Sequence, residues 1–188
     1  MQTFAVYVDN KPGVLNRVAS LFRRRAFNIE SLTVGHTDRA GLSRMTIVVD
    51  TDERGARLVE ANLYKLIPVR RVDNITKLPQ ISRDLALIKV SAVGDARTQV
   101  MQLVDVYRAR IVDVSTDSLV IETTGAEDKI DSLLEVLRPY GVIEMVRTGR
   151  VAVARGGGAP LAVVPVSAAT SAAATASNRD TDVSNCSV

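Results

Sequence analysis

The chain has 188 residues and a net charge of +3, with 46% apolar and 24% charged side chains, the balance of a soluble globular protein with room for one ordinary domain or two small ones. Aromatic residues make up only 4% and Trp is absent, so the core is expected to consist of Val, Leu, Ile and Ala, and base-stacking nucleic-acid readers are disfavoured. The single cysteine, Cys186, rules out an intramolecular disulfide and fits a cytoplasmic location. The start, MQTFAVYVDN, lacks the pattern of a signal peptide, and no apolar run approaches the roughly 18 residues needed to span a bilayer.

The first elements run from Met1 to Leu78. Phe4–Val8 is a short apolar run that reads as a strand, and Asp9-Asn10-Lys11-Pro12-Gly13 as a turn. Val14, Leu15, Val18, Leu21 and Phe22 then fall at helical spacing, predicting a helix that ends near Arg25. Arg23-Arg24-Arg25 is the only tight basic run. It suits the solvated end of that helix, since cations are favoured at a helix C-terminus, and a patch that docks a partner is the alternative. Asn28–Val34 reads as a strand, His36–Gly41 as a polar loop, and Met45, Ile47 and Val49 alternate with Arg44, Thr46 and Val48 as another strand. Ala56, Val59, Leu63 and Leu66 return to helical spacing, and Val69–Ile75 closes the unit. Asp50, Asp52 and Glu53 stand at the entry of this second helix, where an N-cap and a favourable dipole contact are the ordinary roles of acids.

From Arg83 to Gly149 the order repeats. Leu85–Val90 is a strand, Val100, Leu103, Val104 and Tyr107 form a helical stripe, and Arg110–Ser115 with Leu119–Thr123 reads as a hairpin around Thr116-Asp117. Ile130, Leu133, Leu134 and Leu137 form the second stripe, and Val142–Val146 is the last strand. Each half is β-α-β-β-α-β, the ferredoxin-like order. The expected fold is therefore α+β: two such domains over residues 1–78 and 83–154, with Pro79–Ser82 as the joint. An Ala/Ser-rich tail over residues 155–188 has too few large side chains to offset its ordering entropy. Gly156–Gly158 has neither the strand–helix context nor the Lys-Ser/Thr pair of a phosphate loop.

The usual tools of catalysis are scarce. The one histidine, His36, has no recognisable nucleophile, carboxylate partner or companion metal ligand, so a surface or hinge role is its default. The informative segment is Asp9–Leu15. Gly13 can take backbone angles other residues avoid and lets a ligand approach the main chain. The helix start behind it presents unpaired N–H groups suited to a carboxylate, and Asn10 offers donors and an acceptor. Spacing alone slightly favours a plain turn and helix start. Asn28–Leu32 opens a strand that commonly lies at a sheet edge in this topology. Such an edge invites a second copy, although Asn28 as a turn residue and Ile29 as a core residue is the plainer reading.

Asn10-x-x-Gly13-Val14-Leu15, followed by Arg17-Val18 and Leu21-Phe22, resembles the opening of an ACT domain. The continuation Phe27–Val34 and Leu42–Ile47, with Lys65–Val69 and Val72, resembles more specifically the regulatory small subunit of acetolactate synthase (acetohydroxyacid synthase). The resemblance runs to about Gly149, with weaker motifs such as Arg110–Val114 in the second half; the tail after Arg155 falls outside it. It implies a non-catalytic subunit of branched-chain amino-acid synthesis, with no cofactor of its own. Its partners would be a second copy, met through the ACT domains, and a catalytic large subunit carrying thiamine diphosphate, Mg and FAD. It implies activation of that enzyme and feedback inhibition by valine, or another branched-chain amino acid, at the ACT dimer interface. There Asn10, Gly13, Val14 and Leu15 of one chain would meet Asn28 and Ile29 of the other. A free-standing ACT-type sensor acting on another protein is the alternative. Neither nucleic acid nor membrane is an expected partner.

Overall fold

The computed structural model describes residues 1–156; the tail beyond, with Gly157, Gly158 and Cys186, lies outside the described residues. The first unit comprises β1 (Gln2–Asp9), α1 (Val14–Arg24), β2 (Ile29–His36), β3 (Leu42–Val49), α2 (Glu53–Leu63) and β4 (Val69–Asn74). Its antiparallel sheet has the order β2-β3-β1-β4, so β2 lies at an edge. Strand alternation decides the two faces. Phe4, Val6 and Val8 of β1 and Met45, Ile47 and Val49 of β3 turn to one side. There they meet Val14, Val18, Leu21 and Phe22 of α1 and Ala56, Val59 and Leu63 of α2. Burying each of these larger side chains contributes roughly 1.5–3 kcal/mol, which fixes both helices on that face.

Capping agrees with the sequence at α2. Asp52 is its N-cap, and its carboxylate accepts from the Gly55 amide at 2.7 Å. The helix stops at Leu63, a turn earlier than the spacing of Leu66 predicts. Leu66 instead packs on the core from successive turns, in which its amide donates to the Leu63 carbonyl and the Val69 amide to its own. His36, expected in a loop, is the last residue of β2, paired with Ser43.

The second unit comprises β5 (Gln80–Ser91), α3 (Asp95–Val106), β6 (Arg110–Val114), β7 (Ser118–Gly125), α4 (Glu127–Leu137), a 3₁₀ turn (Arg138–Tyr140) and β8 (Val142–Arg147). Its sheet has the order β6-β7-β5-β8. Ala86, Ile88, Val90 and Ile121 pack against Val100 and Val104 of α3 and Ile130, Leu133 and Leu137 of α4. Both units are thus α+β with helices on one face of an antiparallel sheet.

The joint differs from a plain linker. Gln80–Arg83 is the first third of β5 and pairs with a further strand, β9 (Val151–Ala154). This two-stranded ribbon covers part of the first sheet on its helix-free side, where Ala152 is buried with Ala5 and Ile75 and packs against Tyr7. The guanidinium groups of Arg44 and Arg71 lie 5.7 and 5.5 Å from the Tyr7 ring centroid, within cation–π range.

Candidate functional site

The turn after β1 is held from below by a buried charge. Asp9 is 4% exposed, and Arg70 of β4 grips it in a fork: Nε donates to Oδ1 at 2.6 Å and Nη2 to Oδ2 at 2.8 Å. Lys11 adds a cation 3.6 Å away. The hydrogen bond from Arg70 holds the Asp9 carboxyl below its ordinary pKa; burial pushes the other way, and the two cations outweigh it. The Asp9 amide donates to the Pro68 carbonyl and the Asn10 amide to the Gly41 carbonyl, both at 2.8 Å, so the backbone enters the turn in one fixed position.

Gly13 is the N-cap of α1, with φ +80°, and the space where a Cβ would stand is empty to 4 Å. No side chain caps this helix and its first turn carries no acid. The Val14 amide makes a long bond to the Lys11 carbonyl, 3.4 Å, and Arg17 returns to Gly13, which leaves the amides of Leu15 and Asn16 without a bond among the described residues. The other three α-helices differ. Asp52 caps α2, and acids stand in the first turns of α2 (Glu53), α3 (Asp95) and α4 (Glu127, Asp128). Among the described residues α1 is therefore the one α-helix whose N-terminal dipole meets no acid in its first turn, although α3 and α4 likewise lack a side-chain cap, and its donors suit an external anion.

Asn10 is exposed, its side-chain amide 3.4 Å from His36 Nδ1, so the histidine borders this site as a neighbour of Asn10. Leu15, the second residue of the helix, is 45% exposed and offers apolar surface next to the turn. Val14, by contrast, is buried in the core and can offer only backbone.

Asn28 and Ile29 lie elsewhere. Ile29 pairs with Val49, opposite Gln2, whereas Asn10 follows Asp9, which pairs with Leu42. The two halves of the expected site thus stand at opposite ends of one sheet, separated by the eight residues of β2, roughly 25 Å at about 3.3 Å per residue. One chain brings Asn10, Gly13, Val14 and Leu15 together and does not bring Asn28 or Ile29 to them. Asn28 instead hydrogen-bonds Glu30 across the start of the exposed strand, and Ile29 packs on the core. An antiparallel pairing of β2 with the β2 of a second copy would carry each strand start toward the other chain's turn.

Sequence reasoning missed Arg70 and the crossing behind β2. Ser31, Thr33, Gly149 and Arg150 meet there, and a cavity of about 360 Å³ lies between β2, α4 and the end of β8. Among the described residues no group of three or more His, Cys, Asp or Glu side chains is placed to hold a metal ion, and no helix is long and apolar enough to cross a membrane.

Known proteins resemble this chain in sequence and fold. Residues 4–71 match the family described as AHAS small subunit-like ACT domain, and residues 83–156 the family described as small subunit of acetolactate synthase. A probable acetolactate synthase small subunit of Archaeoglobus fulgidus is 53% identical over 154 residues, 82% of this chain and 96% of the relative. The acetolactate synthase small subunit of Bacillus subtilis is 47% identical over 150 residues, 79% of this chain and 87% of its own. The crystal structure of the small subunit from Thermotoga maritima superposes with a TM-score of 0.79 at 41% identity, covering 82% of this chain and 97% of that one.

Proposed function

Because the chain belongs to the family of acetolactate synthase small subunits, we propose that it is the regulatory partner through which valine restrains branched-chain amino-acid synthesis. The observation that carries this reading is the unguarded start of α1. Two free amides, a glycine with open space and an exposed Asn10 converge there without any acid of their own. An α-carboxylate fits the amides of Leu15 and Asn16, and the Asn10 side-chain oxygen can accept from the ammonium. Leu15, 45% exposed at the helix start, supplies apolar surface for a branched side chain. Asn28 and Ile29 of a second copy, paired antiparallel along β2, close the other side.

In this reading the subunit is non-catalytic and holds no cofactor. Thiamine diphosphate, Mg and FAD belong to the catalytic subunit, which condenses pyruvate with pyruvate or 2-oxobutyrate, and the assembly works in the cytoplasm. Binding of the small subunit raises the activity of the large one, and valine lowers it by favouring one conformation of the complex. A coupling free energy of about 1–3 kcal/mol is typical of such regulation. Linkage requires the catalytic subunit to alter valine affinity by the same factor.

A thermal-shift screen of the purified chain against the twenty amino acids tests the site. A ligand at about a hundred times its Kd stabilises the native state by about 2.7 kcal/mol. A selective rise with valine, smaller with leucine or isoleucine, is the expected result. No rise with any amino acid, alone or in the presence of the catalytic subunit, would reject the sensing role.

A further inference from the structure

The basic run at the end of α1 is not occupied in capping that helix. Ala26, at φ +56°, closes it with backbone alone: the Phe27 amide donates to the Phe22 carbonyl, the Ala26 amide to Arg23 and the Arg25 amide to Leu21. The helix's last carbonyls thus do not depend on these guanidinium groups. Beside them lies an open cavity of about 400 Å³ between the ends of α1 and α2, lined by Leu21, Arg24, Arg25, Asn62, Lys65 and Leu66. Three of these six residues are cations and none is an acid. Arg24, Arg25 and Lys65 form no ion pair among the described residues.

The polar floor is built rather than incidental. Asn62 is 7% exposed; its amide nitrogen donates to the Leu58 carbonyl at 2.7 Å, which turns its oxygen toward the cavity. That oxygen accepts from Arg25 at 3.2 Å and Lys65 at 3.5 Å, so one neutral acceptor gathers two cations without neutralising them. Ile67, next to the lining residue Leu66, is 86% exposed, and Leu58, one turn before Asn62, is 52% exposed. Uncompensated cations flanked by exposed apolar side chains suit a protein surface, where charge steers and apolar anchors hold, better than a small free anion.

We propose that the cleft between the ends of α1 and α2, lined by Arg24, Arg25, Lys65 and Asn62, is a docking site for an acidic segment of the catalytic subunit. The inference rests on the reading of this chain as that enzyme's regulatory partner. It places the assembly surface at the opposite end of α1 from the valine site, so one helix touches both ligand and partner.

The test is titration calorimetry of the full chain with the catalytic subunit at low and high salt, comparing wild type with an Arg24→Glu/Lys65→Glu variant. Arg83→Glu, an exposed reversal elsewhere, is the control. Expected are at least about tenfold weaker binding and a shallower salt dependence in the double variant, with the control unchanged. The valine thermal shift should persist, showing that fold and ligand site are intact. Wild-type affinity and salt dependence in the double variant would overturn the proposal. So would a thermal shift with inorganic phosphate that the double variant loses while assembly is unchanged, since that marks a small-anion site. A wild-type chain that binds no catalytic subunit would overturn the functional reading and this inference together, an outcome distinct from the other two.

Discussion

Thr33 of the edge strand donates from Oγ1 to the Arg150 carbonyl at 2.6 Å, while the Arg150 amide donates to Ser31 Oγ at 2.7 Å. Two alternate side chains of β2 thus hold both backbone polar groups of one residue in the connector between β8 and β9. Gly149 makes the approach possible: a Cβ there would stand 2.6 Å from Ser31 Oγ and 3.0 Å from the Leu32 carbonyl oxygen. Ser31 can rotate away, but the Leu32 backbone cannot. The connector is tied in turn to the second unit, where Arg150 pairs with Glu127 of α4 and Arg147 lies 2.7 Å from Asp84 and 3.0 Å from Asp131. Gly149→Ala is therefore expected to cost about 1–3 kcal/mol in urea unfolding, as overpacking does. Adding Ser31→Ala should recover part of that loss, giving a non-additive pair. Additive effects, or an unchanged midpoint, would show that β2 is not pressed against this connector. If β2 carries the ligand contact, as proposed, Gly149→Ala in the assembled enzyme should also reduce maximal valine inhibition while valine still raises Tm.

Gly13→Asp separates binding from folding. The position has φ +80° with open space, so the substitution meets no clash and costs only the backbone preference, about 1 kcal/mol or less for a residue that tolerates such angles. Its carboxylate would stand where the ligand carboxylate is expected and repel it. The expected outcome is loss of the valine thermal shift and of feedback, a small fall in Tm, and activation of the catalytic subunit kept. Asn28→His should remove feedback in the same way from the other end of β2. Full valine sensitivity in both variants would mean that the site lies elsewhere.

The Asp9–Arg70 fork predicts an acid dependence. Asp9 has a depressed pKa in the folded chain, first because Arg70 hydrogen-bonds its ionised form. A group depressed on folding contributes stability that is complete above its unfolded pKa, about 3.9 for Asp, and is lost as pH falls through the lower folded value. At pH 7 Asp9→Asn should lose roughly 1.5–3 kcal/mol, the range for a hydrogen bond to a charged group. Below about pH 4 the gap between variant and wild type should close. Denaturation series at neutral and acid pH check both statements; a gap that stays constant into acid would mean that Asp9 is not held ionised by Arg70.

The parts of the fold that announce themselves are those with large apolar side chains at a regular period. Val14, Val18, Leu21 and Phe22 mark α1, and Met45, Ile47 and Val49 mark β3, because each buries a side chain on one face. β9 shows no such signal: Val151 and Val153 are exposed, and its one buried residue is Ala152, too small to stand out in a chain rich in alanine. Arg70 was illegible for a related reason. In VRRVDN two adjacent arginines look alike, and only the register of β4 against β1 shows that one grips Asp9 while the other lies by Tyr7 and pairs with Asp73. The turn at Asn10–Leu15 could be read from Pro12-Gly13 and the helix behind it. Asn28 and Ile29 were legible as the opening of an edge strand, and only their ligand role came from the family resemblance; strand register adds what both leave unsaid: a single sheet holds the two halves apart.

That separation yields the last prediction. If the site closes only between two copies of β2, valine binding and dimerisation must fail together. Val34 is 47% exposed on the edge strand, apolar, and remote from the Asn10–Gly13 turn in sequence. Val34→Lys places a charge on an edge, the device by which proteins discourage strand pairing. It should cost the monomer little, since Val34 is outside the buried core. Sedimentation should show the variant as monomer at concentrations where wild type is dimeric, and the valine thermal shift should vanish with the dimer. Raising the variant's concentration until dimers return should restore it. A monomeric variant that still binds valine with wild-type affinity would show that one chain builds the whole site. The roughly 25 Å between its two halves along β2 would then have to be crossed by a rearrangement of the sheet.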